Sequence, residues 1–418
     1  MSERDLANLT IRNSAVKDFE KQVATYAGTR HAVLCSSGRT AIFFSLLALG
    51  IKPRDEIIIP DYSCQILPIV VFCAGGIPKF CDLNKRTLGL SNSHLKKIIK
   101  PNTKVVIIVH PYGIPVDPSS MLELAQKNGI FLISDAAQAL TANIYGRNVS
   151  SFGDVGIFSF NKFLNVNLGA AVVTDRPEIA EKIEFFRNKF EFKSYFASIG
   201  YSILKYSDFE LQKIIKKFFF GTNYLHKFLF ALSEKKHFQV VDGWVRADQY
   251  LLEKYQNRAL NRPLISHLMA YNSLDKYYVL RKMEEPEILD LAFKFTSLQK
   301  IHEKRTILGK RYEHNLKEGE FEKFFIPNNF TGSYFRYPIL FSDEHKRTIC
   351  LDNLTKAGFQ VNYKYKPLHM SPLFKFENSE TNFSNSVYLS KRLLPLPLNS
   401  NLRIKDIDRI IQIVNSST

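Results

Sequence analysis

Three short segments carry residue types that could do chemistry, and each falls where an apolar run gives way to polar residues. Lys162 stands in Phe158-Ser-Phe-Asn-Lys-Phe-Leu-Asn-Val-Asn-Leu-Gly-Ala170, just past an apolar run and ahead of a Gly-Ala turn. A lysine in that place can be a solvated surface residue, the usual fate of the type, or an amine nucleophile toward an aldehyde. Asp135 ends Phe131-Leu-Ile-Ser-Asp135 and opens Asp-Ala-Ala-Gln138. A carboxylate after a strand is most often a helix cap; it can also pair with a protonated ring nitrogen. Ser36-Ser-Gly-Arg-Thr40 leads into an apolar helix. Such a stretch is commonly a plain turn. Its small residues and the free N–H groups of the helix start also suit an anion.

The elements that must position these residues alternate in type. Between residues 18 and 185 the chain reads as helices and strands in turn. Ala41 to Gly50 is an apolar helix stopped by glycine, Glu56–Pro60 a short buried strand, Gln65–Ala74 a helix, and Lys79–Asp82 a strand. Lys104-Val-Val-Ile-Ile-Val-His110 is an unbroken apolar run, as a strand covered on both faces requires. Ser119–Asn128 is a helix, and Phe131–Asp135, Gly156–Phe160 and Gly169–Thr174 complete the strands. This predicts an α/β fold with a mainly parallel sheet flanked by helices, and such sheets bind ligands at the carboxyl ends of their strands. Residues 284–317 read as one long helix or two joined ones. Beyond about 325 a smaller mixed region has strands at Tyr334–Phe341 and Phe359–Tyr363 around a helix at Glu344–Ala357. The chain divides into a large α/β domain over 1–185, a helical aromatic-basic insertion with linking helices over 186–300, and a small C-terminal α/β domain over 301–418.

Bulk properties narrow the function classes. A chain of 418 residues has room for two or three domains, and 45% apolar content is that of an ordinary folded protein. No apolar stretch is long enough to span a bilayer, and the first residues lack a secretory pattern, so the expected location is the cytoplasm. Five cysteines without a Cys-x-x-Cys pair predict neither a disulfide framework nor a metal site. The formal charge of +17 is spread along the chain rather than clustered. That favours anionic small substrates over nucleic acid.

Read together and in order, these segments resemble the DegT/DnrJ family of PLP-dependent sugar aminotransferases. The likeness runs through Tyr26–Ala32, Pro53–Pro60, Gly76–Asp82, His110–Asp117, Asp135–Gln138, Gly146–Asp154, Phe158–Phe160, Pro367–His369 and Leu394–Leu398. The resemblance implies the type I aminotransferase fold and pyridoxal 5'-phosphate as cofactor. It makes Lys162 the covalent attachment point and proton shuttle, Asp135 the partner of the ring nitrogen, and Gln138 the neighbour of the ring hydroxyl. Gly38, Arg39, Thr40 and Ser159 would hold the phosphate. Cys64 occupies the place where many relatives set an aromatic residue on the cofactor, with Tyr62 two residues before it. Arg336 and His369 are candidate substrate contacts, beside Lys364 and Lys366. His110 is expected to support structure.

The implied reaction moves an amino group from an amino acid, glutamate, to a nucleotide-linked keto sugar, at a site in a homodimer. Two rivals stand beside it. Relatives that dehydrate sugars carry histidine where Lys162 stands, and a regulatory homologue could keep the fold without turnover. The stretch from Lys189 to Arg246, with ten phenylalanines and ten basic residues against five acidic ones, is expected to pack on the protein. Peripheral membrane contact is its less favoured alternative.

Overall fold

The computed structural model describes residues 3–166, 168–190, 283, 285–361, 365–371, 374 and 382–417. Helix α1 (Glu3–Ala27) leads into β1 (His31–Cys35), α2 (Gly38–Ala48), β2 (Glu56–Pro60), α3 (Ile66–Cys73), β3 (Ile77–Cys81), α4 (Asn92–Ile98), β4 (Thr103–Val109), α5 (Ser119–Asn128) and β5 (Phe131–Asp135). Two short strands, β6 (Asn143–Ile144) and β7 (Arg147–Asn148), precede β8 (Val155–Ser159), β9 (Ala170–Thr174) and α6 (Pro177–Phe190). Numbering on through the described residues come α7 (Glu285–Phe295), α8 (Leu298–Asn315), β10 (Phe321–Lys323), β11 (Phe330–Thr331) and β12 (Tyr337–Phe341). Then follow α9 (Glu344–Lys356), α10 (Ser384–Arg392), β13 (Leu393–Leu396) and α11 (Ile404–Ser416). The long helix read at 284–317 is thus two, and Phe359–Val361 of the expected strand is unpaired coil. The aromatic-basic stretch lies, apart from its first residues, outside the described residues.

Seven strands form one sheet in the order β1-β9-β8-β5-β4-β2-β3. Pairings from β8 to β3 are all parallel, while β9 runs antiparallel to both β1 and β8. Side chains alternate across the sheet, so each strand feeds two cores. Ile57, Ile59, Val105, Ile107 and Ile133 pack with Phe44, Leu46, Val70 and Ile183 of α2, α3 and α6. Ile58, Val106, Ile108 and Leu132 turn the other way, onto Leu95, Ile98, Met121 and Ala125 of α4 and α5. That double coverage explains why β4 is apolar at nearly every position. On that same second face, α1 and α7 cover β1, β8 and β9 through Phe19, Val23, Ile288 and Leu291.

A second sheet, β10-β12-β13, is antiparallel and holds its own core against α8, α9 and α11. On α11 the buried residues Ile407, Ile410, Ile411 and Val414 repeat at helical spacing and make one apolar stripe. Helix α8 joins the two cores: Leu298 belongs to the core of α1 and α7, Leu308 and Tyr312 to that of the small sheet.

The strand that carries the Lys162 turn is closely crossed by its neighbours. A Cβ added at Gly156 in β8 would lie 2.0 Å from the Ser150 carbonyl oxygen and 2.7 Å from Val173 Cγ2. Gly156→Ala is therefore expected to lower stability by roughly 1–3 kcal/mol, as overpacking does. The measurement is a lower urea midpoint at unchanged slope; an unchanged midpoint would contradict the close approach.

Candidate active site

The parallel strands point their carboxyl ends at one place. Asp135 closes β5, Ser159 closes β8, and the chain from β1 passes through Ser36 and Ser37 into α2. Ser37 caps α2, its hydroxyl accepting the N–H of Thr40 at 3.2 Å. The buried Thr40 hydroxyl is shared between Ser36 and Ser37 at 3.0 and 2.9 Å. This knot of short hydroxyl side chains sets the helix start, an end of a helix that suits an anion. Ser159 sits beside it: a Cβ built on Gly38 would touch the Ser159 Cβ and Oγ at 3.5 Å. The first and third segments of the sequence reading therefore meet, leaving a gap that any side chain at position 38 would occupy.

Lys162 ends the short 3-10 turn Phe160–Lys162 after β8. Phe160, Phe163 and Leu164 around it are buried, and Phe160 N–H donates to the Gly169 carbonyl at 2.9 Å, whose own N–H donates to Ser36 at 2.8 Å. The turn is thus pinned on both sides, while Lys162 stays half-buried. Asp135 is only 7% exposed. Burial pushes its carboxyl above the usual carboxylate range; the positive charge of Lys162 and the N–H of Ala137, at 3.0 Å from Oδ1, pull it back. Its second oxygen takes no hydrogen bond from a described residue.

Gln138 is held at both ends. Its Oε1 accepts the Tyr112 N–H at 2.7 Å, and its Nε2 donates to the Tyr365 hydroxyl in a close contact. Tyr112, at φ +59, is wholly buried, and its hydroxyl lies 3.4 Å from that of Tyr62. The Tyr62 ring meets the Tyr365 ring edge-on at 5.7 Å. Tyr62 is therefore packed inside an aromatic cluster, and Cys64, two residues on, is exposed. Arg336 is half-buried, its N–H donating to the Tyr112 carbonyl at 3.1 Å. His369 is fixed on Asp61: its Nδ1 lies 2.7 Å from Asp61 Oδ2, and its N–H donates to Oδ1 at 2.8 Å.

Several of these partners were not singled out in the sequence. Asp61 and Tyr365 pair with residues far away along the chain, and Arg305, whose guanidinium reaches the Lys162 carbonyl at 3.4 Å, sits in an ordinary charged helix segment. Local patterning carries no signal for such contacts. Among the described residues no cluster of His, Cys, Asp and Glu could hold a metal ion.

The chain matches the family model of the DegT/DnrJ/EryC1/StrS aminotransferases over residues 6–261 and 281–415. It is 39% identical over 190 residues to the UDP-N-acetyl-3-dehydro-alpha-D-glucosamine 3-aminotransferase of Acidithiobacillus ferrooxidans, covering 44% of this chain and 51% of that one. It is 35% identical over 176 residues to the GDP-perosamine synthase of Caulobacter vibrioides, 42% of this chain and 47% of that one. The matched stretch thus spans about half the length of these relatives. Among solved structures it resembles the aminotransferase TlmJ from Streptoalloteichus hindustanus, with TM-score 0.71 at 20% identity over 100% of this chain and 96% of that one. It also resembles DesV of S. venezuelae, with TM-score 0.69 at 21% identity over 96% and 88%. At such identities the structures establish the fold, which is the aminotransferase fold expected above.

His110, just past β4, supports this geometry. Its Nδ1 accepts the Val116 N–H at 2.9 Å. Ser134 gives its hydroxyl proton to the Val149 carbonyl, so His110 Nε2 must donate to Ser134 Oγ at 2.9 Å, and the ring is neutral. Burial holds its pKa down to about 3. An unfolded histidine takes its proton near pH ~6.5, so between those values the folded chain binds fewer protons, and stability falls as the pH drops. From about pH 7.5 to about pH 5, wild type should lose about 2 kcal/mol more than His110→Gln. Urea midpoints check this; equal losses in the two proteins would refute it.

Proposed function

This chain belongs to the DegT/DnrJ/EryC1/StrS aminotransferase family, and from that premise we propose that it is a pyridoxal-phosphate aminotransferase acting on a nucleotide-linked keto sugar. The observation that carries the reading is half-buried Lys162 standing near enough for its charge to act on buried Asp135, set beside the Gly38–Ser159 gap at the start of α2.

The residues present fit the cofactor. A phosphate would lie at the N-terminus of α2 against Gly38, Arg39, Thr40 and Ser159, where N–H groups and hydroxyls converge. A cationic ring nitrogen would meet the open oxygen of Asp135, a carboxylate whose burial is favourable only with a positive partner. Gln138, oriented by the Tyr112 N–H, would present its amide to the ring hydroxyl. Pyridoxal phosphate, when bound, supplies an aldehyde for covalent attachment and a protonated ring that accepts the electron pair freed at a neighbouring carbon.

The protein's own part follows. The Lys162 amine would be the attachment point, and once free it would take and hold a proton from the donor's α-carbon. Asp135 keeps the ring nitrogen protonated throughout. Arg336 and His369 would contact the sugar nucleotide, their backbone and side-chain ties to Tyr112 and Asp61 fixing where they stand. An anionic nucleotide suits a chain with net charge +17. Glutamate is the donor we favour, and amino-sugar or surface-polysaccharide synthesis the setting; the Bacillus subtilis relative SpsC is named for spore coat polysaccharide biosynthesis. A cytoplasmic homodimer completes the proposal. Among the described residues no helix is long and apolar enough to cross a membrane.

Reducing the cofactor onto the protein with borohydride should label Lys162, and Lys162→Ala should abolish the label while keeping the fold; a label on another lysine overturns the assignment. Asp135→Asn should retain some cofactor and lose turnover with glutamate and a nucleotide keto sugar by about a hundredfold or more. A near wild-type rate would sink the role given to Asp135.

A further inference from the structure

Arg305 is 3% exposed, midway along α8 at the point where that helix passes from one core to the other. Burying a guanidinium is unfavourable, and packing alone would be served by methionine or leucine. Among the described residues Arg305 has no carboxylate partner. Its Nη1 donates to the Tyr334 carbonyl at 3.1 Å, and its Nη2 donates to the Lys162 carbonyl at 3.4 Å. Its Cζ stands 4.8 Å from the centre of the Phe163 ring, the residue after Lys162. Burial first, and the charge of Arg336 second, hold its pKa down to about 10, which leaves it charged at neutral pH.

The second carbonyl is informative. Tyr334 has φ +48, an uncommon backbone for tyrosine. Its ring fills the notch at Gly309, one turn along α8 from Arg305, where a Cβ would lie 2.3 Å from the ring. Two residues on stands Arg336. One guanidinium thus ties the turn bearing Lys162 to the segment bearing Arg336, through two backbone carbonyls and one aromatic face.

We infer that Arg305 is a positioning residue: it fixes the Lys162 turn against α8 so that the lysine amine is presented for covalent attachment of the cofactor. The inference rests on the reading of Lys162 given above. Arg305 acts through Lys162, so its loss should be felt only by a ligand that bonds to Lys162.

Two ligands separate positioning from general support. Pyridoxal phosphate can bond to Lys162; pyridoxamine phosphate, which has an amine in place of the aldehyde, cannot. Full-length Arg305→Met should bind pyridoxal phosphate about tenfold more weakly and acquire the absorbance of the lysine-linked form more slowly, while its affinity for pyridoxamine phosphate stays within about twofold. Arg305→Lys, which keeps a charge and reaches one carbonyl, should show a smaller loss of the same selective kind. Equal weakening of both ligands, or no change in either, overturns the inference. If Arg305→Met fails to fold, Arg305→Lys decides, and the absence of a selective loss there counts against it. Lys162→Ala is the reference. If it leaves the linked absorbance intact, the lysine assignment itself has failed and the Arg305 inference falls with it. If Lys162→Ala abolishes the absorbance while Arg305 variants treat both ligands alike, only the Arg305 inference is lost.

Discussion

A carboxylate held out of water at the end of a parallel strand is stable as an anion only if positive charge comes to it, and the organisation of this molecule around Asp135 follows from that constraint. Asp135 lies at the end of β5, in the middle of the seven-stranded sheet, where helices on both faces exclude solvent. The neighbouring strand β8 delivers Lys162 on a tight turn, near enough for its charge to offset part of the burial. Two strands further on, β1 leads into α2, whose N-terminus adds the positive end of the helix dipole. The sheet order thus sets the electrostatics: carboxylate, amine and helix terminus come from β5, β8 and β1, in that order across the sheet.

A second constraint is the placement of the lysine-bearing turn. Buried Phe160, Phe163 and Leu164 anchor it from the side of the sheet, and the backbone chain from Phe160 through Gly169 to Ser36 links it to the start of α2. α8 reaches it as well, through Arg305. Since α8 is rooted at one end in the core of α1 and α7 and at the other in the core of the small sheet, that contact makes the lysine turn answerable to both.

Much of this was legible in the sequence. The apolar run of β4, the glycine-stopped helix α2 and the strand before Asp135 declared their period and length, and strand ends are where such sheets bind ligands. The motifs around Lys162, Asp135 and Ser36–Thr40 lie at those ends, so the candidate site could be placed from the sequence. What could not be read depended on contacts across the chain or on special backbone. The expected strand from Tyr334 starts only at Tyr337, because Tyr334 takes a positive φ with its ring in the Gly309 notch. Phe359–Val361 has strand-like composition but no partner strand. Antiparallel placement of β9 between β1 and β8 has no signature in composition, and the pairings of Gln138 with Tyr365 and of Asp61 with His369 join positions that no periodicity connects.

Comparison of the aspartates at the carboxyl ends of the parallel strands β2, β3 and β5 separates two uses of the same residue type. Asp61, after β2, is fully buried, and both of its oxygens are taken by His369. Asp82, after β3, is buried too; its Oδ1 accepts from the Ser386 N–H and hydroxyl at 2.7 Å each, its Oδ2 from the Asn385 N–H at 3.1 Å. Both therefore spend their hydrogen-bonding capacity on tying the C-terminal segments to the large sheet. Asp135 differs: it accepts one hydrogen bond from the described residues, that of Ala137, and keeps an oxygen open. A largely buried carboxylate with an open acceptor is a ready partner for a cationic group. Asp135 thus differs from Asp61 and Asp82, which serve as the fastenings that hold the C-terminal segments in position.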